Sequence, residues 1–319
     1  MSSLLKQLKF ELKRFQAAEN SIETIFIGGG TPSTVAPEFY KDIFTCLQPY
    51  LKADIEITSE ANPNSASYEW LEGMYKLGVN RISFGVQSFD EKKLKILNRA
   101  HTPQMAKDAL LNAAKVGFKN LSLDLIYATL GDTKKLLQKD IDTAFSLPIN
   151  HLSAYALTIE EGTAFENRPQ MSSEQLSLTT WIFDEIQYHG FEQYEISNFG
   201  TYKSAHNLGY WQYKDYMGVG AGAVGKLGAN RFYPTSDIEK YIKNPLEISQ
   251  EELSHEDQHI EKIFLGLRSC VGVDTQLLND EEKIKASILV DEKKLVKEKN
   301  ILYNPDYLLA DEIALFLTS

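Results

Sequence analysis

Residues 24–33 read Thr24-Ile25-Phe26-Ile27-Gly28-Gly29-Gly30-Thr31-Pro32-Ser33. An apolar run passes straight into three glycines, which predicts a strand that ends in bare backbone. Glycine has no Cβ, so a ligand can approach its peptide groups closely, and a positive φ costs it little. In parallel α/β folds the carboxyl ends of the strands are where ligands bind. The plainer alternative is a tight strand-to-helix turn.

Working outward, helix and strand patterns alternate. A helical stretch at 3–16 leads to the strand at 23–28, and one at 37–50 to a strand at 54–60. A helix at 67–77 stops at Gly78 and is followed by a strand at 81–87. Helices at 90–98 and 103–116, the second stopping at Gly117, precede a strand at 120–127. A helix at 132–146 precedes a strand at 151–158. Glycine just beyond the last turn suits a helix end. Repeated β–α–β units predict a parallel sheet, open or closed as a barrel. Past 170 the pattern changes to a helix at 172–189, then the segment Tyr194–Phe199, then an aromatic, glycine-rich stretch at 201–233. From about 236 the chain reads as helical and charged, with short strands near 301–304. The expected division is a barrel core at 1–170, an extension at 171–235 and a small C-terminal domain at 236–319.

Composition narrows the function classes. The chain has 319 residues, 43% hydrophobic and 24% charged, and a formal net charge of −11. So acidic a chain is a poor phosphate neutraliser, which argues against nucleic acid as a partner. Cys46 and Cys270 stand alone and far apart. They suit a reducing cytoplasm and read as core thiols in helical surroundings, not as a disulfide framework. No stretch reaches the roughly 18 apolar residues a membrane span needs. The amphipathic N-terminal stretch faces a core by default and also allows peripheral membrane association.

Polar residues inside otherwise apolar strands are the next signal. Glu60, Gln87 and Asp124 lie in or at the end of three successive strands. A buried acid needs a partner; three polar side chains at similar depth beside Gly28–Gly30 point to a polar ligand at one rim. Gly220-Ala221-Gly222-Ala223-Val224-Gly225 has the spacing of a dinucleotide fingerprint but lacks a preceding strand and a following helix. It reads instead as a glycine-rich strand or loop pressed against another ligand or backbone.

Taken together, Gly28–Ser33, Ser59-Glu60-Ala61-Asn62-Pro63, Ser83-Phe84-Gly85-Val86-Gln87-Ser88-Phe89, Asn98-Arg99, Leu123-Asp124-Leu125-Ile126-Tyr127 and Tyr194-Glu195-Ile196-Ser197-Asn198-Phe199 resemble the radical S-adenosylmethionine (SAM) proteins of the coproporphyrinogen III oxidase-like group. The resemblance covers nearly the whole chain in order. His206-Asn207-Leu208-Gly209-Tyr210-Trp211 is similar to the signature of that group's HemW branch of haem chaperones. The implied fold is a partial (β/α) radical-SAM-type barrel with a small, mostly helical C-terminal domain.

By that resemblance Gly29, Gly30 and Thr31 would line SAM, Glu60 would accept a ligand hydrogen bond, and Gln87, Arg99 and Asp124 would complete the rim. His206 would ligate or adjoin haem iron, with Tyr210 and Trp211 on the porphyrin. The net negative charge does not favour haem propionates, so nearby cations must offset it, and Lys203 and Lys214 are the candidates. Haem and haem-accepting apoproteins would be the partners. The His206–Trp211 spacing fits a helix, which puts His206 and Tyr210 on one face, and equally fits a loop that presents all three side chains.

Three departures stand out. The family's Cys-x-x-x-Cys-x-x-Cys, which holds a [4Fe–4S] cluster, has no counterpart here, so the resemblance implies a chain beginning after that segment and non-catalytic as written. Ala128-Thr129-Leu130-Gly131 replaces Gly-Leu-Pro-Gly, and Val224 stands where many relatives carry His. The alternative functions are an oxygen-independent coproporphyrinogen III oxidase and a cluster-less binding module. A barrel without its first strand would leave strand 23–28 as an edge.

Overall fold

The structure, a computed structural model, describes residues 1–159, 165–173 and 176–319. Its main sheet has seven strands: β1 (Ile22–Ile27), β2 (Leu51–Ala61), β3 (Arg81–Gln87), β4 (Asn120–Tyr127), β5 (His151–Ala156), β6 (Glu192–Gln193) and β7 (Asn198–Gly200). Their spatial order is β1-β2-β3-β4-β5-β7-β6, so β1 is an edge strand. β2 through β5 run parallel, and β7 adds antiparallel to β5. The sheet is mostly parallel and is the one the β–α–β alternation predicts.

The intervening helices are α1 (Ser2–Arg14), α2 (Lys41–Leu47), α3 (Tyr68–Lys76), α4 (Glu91–Ile96), α5 (Pro103–Val116), α6 (Lys134–Phe145) and α7 (Leu176–Tyr188). Local signals set their ends. The Ser67, Thr102 and Thr133 side chains accept the backbone N–H groups of Trp70, Met105 and Leu136 and so cap α3, α5 and α6. Gly117 closes α5 at φ +124°. The helix expected over 37–50 is shorter. Pro37 and Pro49 confine its ends to 3₁₀ turns at Pro37–Tyr40 and Gln48–Tyr50. Residues 174–175 of the helix expected at 172–189 lie outside the described residues.

By contact density the chain divides into two compact units. One comprises 24–38 and 56–203; the other comprises 1–23, 39–55 and 204–319. In the first, the register places Ile82, Leu121, Phe84, Leu123, Leu152 and Phe199 on one sheet face. All are 1% exposed or less, and α5 and α6 pack onto β3 and β4. This face is the core.

The second unit holds α8 (Ala205–Trp211), β8 (Gly225–Leu227), β9 (Asn230–Pro234), α9 (Ile238–Lys243), β10 (Ile248–Glu252), α10 (His255–Leu267), β11 (Val273–Asp274), α11 (Asp280–Asp291), β12 (Val296–Glu298), β13 (Ile301–Tyr303) and α12 (Ala310–Thr318). Its C-terminal part has its own core of Ile263, Leu267, Leu289, Leu302, Ile313 and Leu317. The charged run 248–252 is a strand where the sequence read as helical, because it pairs antiparallel with β9 from Ile248–Pro234 to Glu252–Asn230. Pairing overrides the local preference.

The 220–225 run is a turn that enters β8 at Gly225, and not a dinucleotide loop. Gly220 and Gly222 take φ +135° and +71°, and a Cβ on Gly218 would lie 2.2 Å from the Ala223 carbonyl oxygen. Gln7 on α1, fully buried, donates to the Gly218 carbonyl (3.1 Å) and accepts from Gly220 N–H (2.8 Å). The glycines are there for backbone packing. The cysteines correct their expectation. Both are half-buried, Cys46 on α2 and Cys270 in the turn after α10, rather than core thiols.

Candidate functional site

The opposite face of the sheet is polar, and the site is built on it. Strand register aligns Glu60, Ser83, Ser122 and His151 in one row, and Asp124, Ser153 and Asn198 in the next. Central parallel strands are ordinarily apolar on both faces. Here β2, β3, β4 and β5 alternate instead, as in Glu56-Ile57-Thr58-Ser59-Glu60 and Ser122-Leu123-Asp124-Leu125. The apolar members face the helices and the polar ones face away.

Towards the strands' amino ends this face is closed by its own hydrogen bonds. Tyr202 OH donates to Glu56 Oε2 at 2.7 Å. His151 Nδ1 meets Ser122 Oγ at 2.7 Å, and its Nε2 meets Tyr194 OH at 2.7 Å. Burial, with the Arg81 charge nearby, pushes the His151 pKa well below its usual value, so this histidine is neutral.

Towards the carboxyl ends the face opens into the rim that the glycines announced. Gly29 and Gly30 take φ +75° and +59°, and no atom lies within 4 Å of where their Cβ atoms would stand. Gly29 N–H donates to Glu60 Oε2 at 3.3 Å. Thr31 Oγ1 accepts from Asn62 Nδ2 at 3.3 Å, and Ser33 Oγ from Asn62 N–H at 2.9 Å, which pins the glycine turn to the end of β2.

On β3 a bulge between Phe84 and Gln87 puts Gln87 at φ +67°, a left-handed conformation rare for a side chain with a Cβ. Its Nε2 lies 3.0 Å from where a Cβ on Gly85 would stand, above the polar face. Ala128, just past β4, is left-handed too, at φ +58°. That conformation costs a residue that carries a Cβ. Asn98, left-handed at φ +52°, ends α4 and delivers Arg99.

The rim is electrostatically unsettled. Burial raises the Glu60 pKa, and Gly29 N–H only partly offsets it. Asp124 is pushed up to about 6 by burial, with Glu60 adding to the effect and Ser153, Arg81 and Ser83 opposing it. Arg99 feels the Asp124 charge, yet its buried Nε has no hydrogen-bond partner. Glu195, between β6 and β7 and 2% exposed, is pushed up to about 7 by burial despite its bond from Ser197 N–H. Asn198 Oδ1 is buried and unpartnered as well. Orphaned buried donors and acceptors beside raised carboxyls mark a ligand site. The structure thus brings Gly29, Gly30, Thr31 and Glu60 together at one end of the rim, with Gln87 and Asp124 on the neighbouring strands and Arg99 in the turn after α4. Ser83, Ser122, Ser153, Asn198 and Glu195 were not singled out as site residues by the sequence; the register sets the strand members beside the acids.

In the other unit, Ala205–Trp211 is helix α8, capped by the Ser204 side chain, so the loop alternative is set aside. His206 and Tyr210 come together: Nε2 lies 3.2 Å from the Tyr210 OH, and the rings stand edge to face at 5.0 Å. Tyr210 also meets Tyr216 edge to face at 4.7 Å. Trp211 is one residue further, about 140° round the helix from His206, so the three side chains do not share a face. Its buried Nε1 has no hydrogen-bond partner. Lys203 and Lys214, expected to serve propionates, are engaged by acids, Lys203 with Glu192 at 3.1 Å and Lys214 with Glu23 at 2.6 Å.

A mostly parallel sheet with a glycine-rich, polar carboxyl rim is the frame of radical-SAM proteins, and residues 4–144 match the Radical SAM superfamily. Over its full length the chain superposes on 82% of coproporphyrinogen III oxidase (HemN) from Escherichia coli, with a TM-score of 0.81 at 17% identity. That likeness establishes the fold. The sequence relatives are more specific. The protein named heme chaperone HemW from Lactococcus lactis is 34% identical over 310 residues, 92% of this chain and 82% of that protein. HemW of Bacillus subtilis is 33% identical over 325 residues, 95% and 83% of the two. HemW of Escherichia coli is 39% identical over 233 residues, 70% and 61% of the two. The chain belongs to the HemW family.

SAM fits the rim: the left-handed glycines leave backbone open, and the orphaned Arg99 Nε can meet a carboxylate. A [4Fe–4S] cluster does not fit the residues of this chain. Such clusters are held by cysteine thiolates, and Cys46 and Cys270 are the two present. Among the described residues no group of three or more His, Cys, Asp or Glu could hold a metal ion. No described helix is long and apolar enough to cross a membrane.

Proposed function

We propose that this chain is a haem-binding chaperone that takes haem at α8 and passes it to acceptor apoproteins in the cytoplasm, and that it holds SAM at the rim of its sheet. The observation that supports the haem reading is α8 itself. Its seven residues include His, Tyr and Trp, and none of the seven is buried. Flat apolar side chains left part-open beside an imidazole suit a porphyrin. His206 is the residue that would ligate iron, and the Tyr210 hydroxyl now bonded to its Nε2 would give up that bond. The unsatisfied Trp211 Nε1–H is a donor for a propionate. The ion pair of Lys214, in the same unit as α8, is exposed and therefore weak, so this lysine can exchange its partner for a propionate.

At the rim, Arg99 would clamp the SAM carboxylate and Glu60 and Asp124 would accept its donors, with the Gly29–Thr31 backbone against its body. These residues bind and orient it. An oxidase reading has the shared fold behind it and no further support.

The test is transfer. The chain is loaded with haem, freed of excess and mixed with apomyoglobin, and the Soret band is followed. The proposal expects the band to move to that of myoglobin as haem leaves this chain. A chain that takes up no haem, or never yields it, contradicts the proposal.

A further inference from the structure

Gln87 is held in an unfavourable conformation, and the structure shows what holds it. Asp140, on α6 and 2% exposed, accepts Ser88 Oγ–H at 2.7 Å on one carboxylate oxygen and Phe89 N–H at 2.6 Å on the other. These are the two residues after Gln87. Ser88, fully buried, also accepts Asp90 N–H at 3.0 Å, and Asp90 caps α4 through Lys92 and Lys93 N–H, each at 2.9 Å. From α4, Lys93 (3% exposed) pairs with Asp132 at 2.9 Å. Asp132 in turn accepts Thr129 N–H at 2.9 Å, next to the left-handed Ala128.

One buried set, Asp140–Ser88 and Lys93–Asp132, therefore ties together the turns that follow β3 and β4. These turns flank Gln87 and Asp124, and α4 delivers Arg99. A left-handed non-glycine residue persists only where its surroundings over-determine it. Two charge-assisted hydrogen bonds on adjacent residues do that here.

We infer that Asp140 is a positioning residue of the rim: through Ser88 and Phe89 it fixes the left-handed turn at Gln87, and through α4 the approach of Arg99, so that SAM meets a preformed site. The inference rests on the reading of the rim as a SAM site. In this role Asp140 acts through Ser88 and Phe89 and not on the ligand.

The experiment uses the full chain with SAM as the probe, comparing wild type, Asp140→Asn and Ser88→Ala. Ser88→Ala removes one hydroxyl and leaves the Lys93–Asp132 pair intact, so it stays informative if Asp140→Asn folds poorly. Three quantities are read: the melting temperature, SAM affinity by calorimetry, and hydrogen exchange in a peptide covering 84–99. Expected in each folded variant are an affinity loss of about tenfold, as for lost supporting contacts elsewhere, faster exchange at 87–90, and a melting temperature that does not track the affinity loss. Wild-type affinity and unchanged exchange in both variants overturn the inference. If wild type itself binds no SAM, the rim reading fails, and the exchange at 87–90 alone decides whether Asp140 holds the turn.

Discussion

Gly28 and Gly29 are neighbours, yet a methyl group would cost each something different. On Gly28 a Cβ would lie 2.5 Å from the Phe26 ring and 3.2 Å from the Glu60 carboxyl carbon. Gly28→Ala should therefore overpack, at about 1–3 kcal/mol. On Gly29 the Cβ meets nothing within 4 Å, but φ is +75°. Gly29→Ala should cost about 1–2 kcal/mol through backbone strain alone. Urea midpoints test both, and a neutral Gly29→Ala would contradict the left-handed turn. Glu195 gives a pH signature. Its folded pKa of about 7 exceeds the unfolded value of roughly 4.3, so between these pH values the native state holds more protons. Its contribution to stability is present at low pH and is lost as pH rises through 7. Removing the group in Glu195→Gln should flatten the decline, and the melting temperature of the variant relative to wild type should rise from about pH 5 to about pH 8. A difference that stays constant over that range would show that Glu195 titrates normally.

Elements were legible wherever a periodicity ran unbroken. The strand at 81–87, the helix at 103–116 and the strand at 120–127 fall where the sequence put them. Glu60, Gln87 and Asp124 were visible as exceptions to an apolar pattern. The rest of the polar face was not, because Ser83, Ser122 and Ser153 are small and mild in any scale of polarity. Only the register, which sets them beside the acids, makes them a surface. The strand at 248–252 could not be read at all, since its four exposed residues Ser249–Glu252 carry no alternation and the pairing with β9 alone decides. For α8 the helix separates Trp211 from His206. Trp211→Phe, which removes the orphaned N–H and keeps an aromatic face, should leave the Soret position of bound haem unchanged and weaken binding by less than His206→Ala does. A band shift as large as that of His206→Ala would mean that Trp211 stands next to the iron.

At the scale of the whole molecule, β1 is an edge strand of the seven-stranded sheet, and sheet edges are templates for association. Size-exclusion chromatography of this 319-residue chain at rising concentration should show a growing oligomeric fraction; one monomeric peak throughout would contradict the prediction. Family membership rests on relatives that align along most of both chains, whereas the fold alone is shared with an oxidase. Haem binding at α8 is the claim that separates a chaperone from that fold. A haem titration of wild type against His206→Ala, followed at the Soret band, tests it most directly. The account predicts saturable binding by wild type and a weakened, shifted band in the variant. Equal affinity and identical spectra in the two proteins would contradict it.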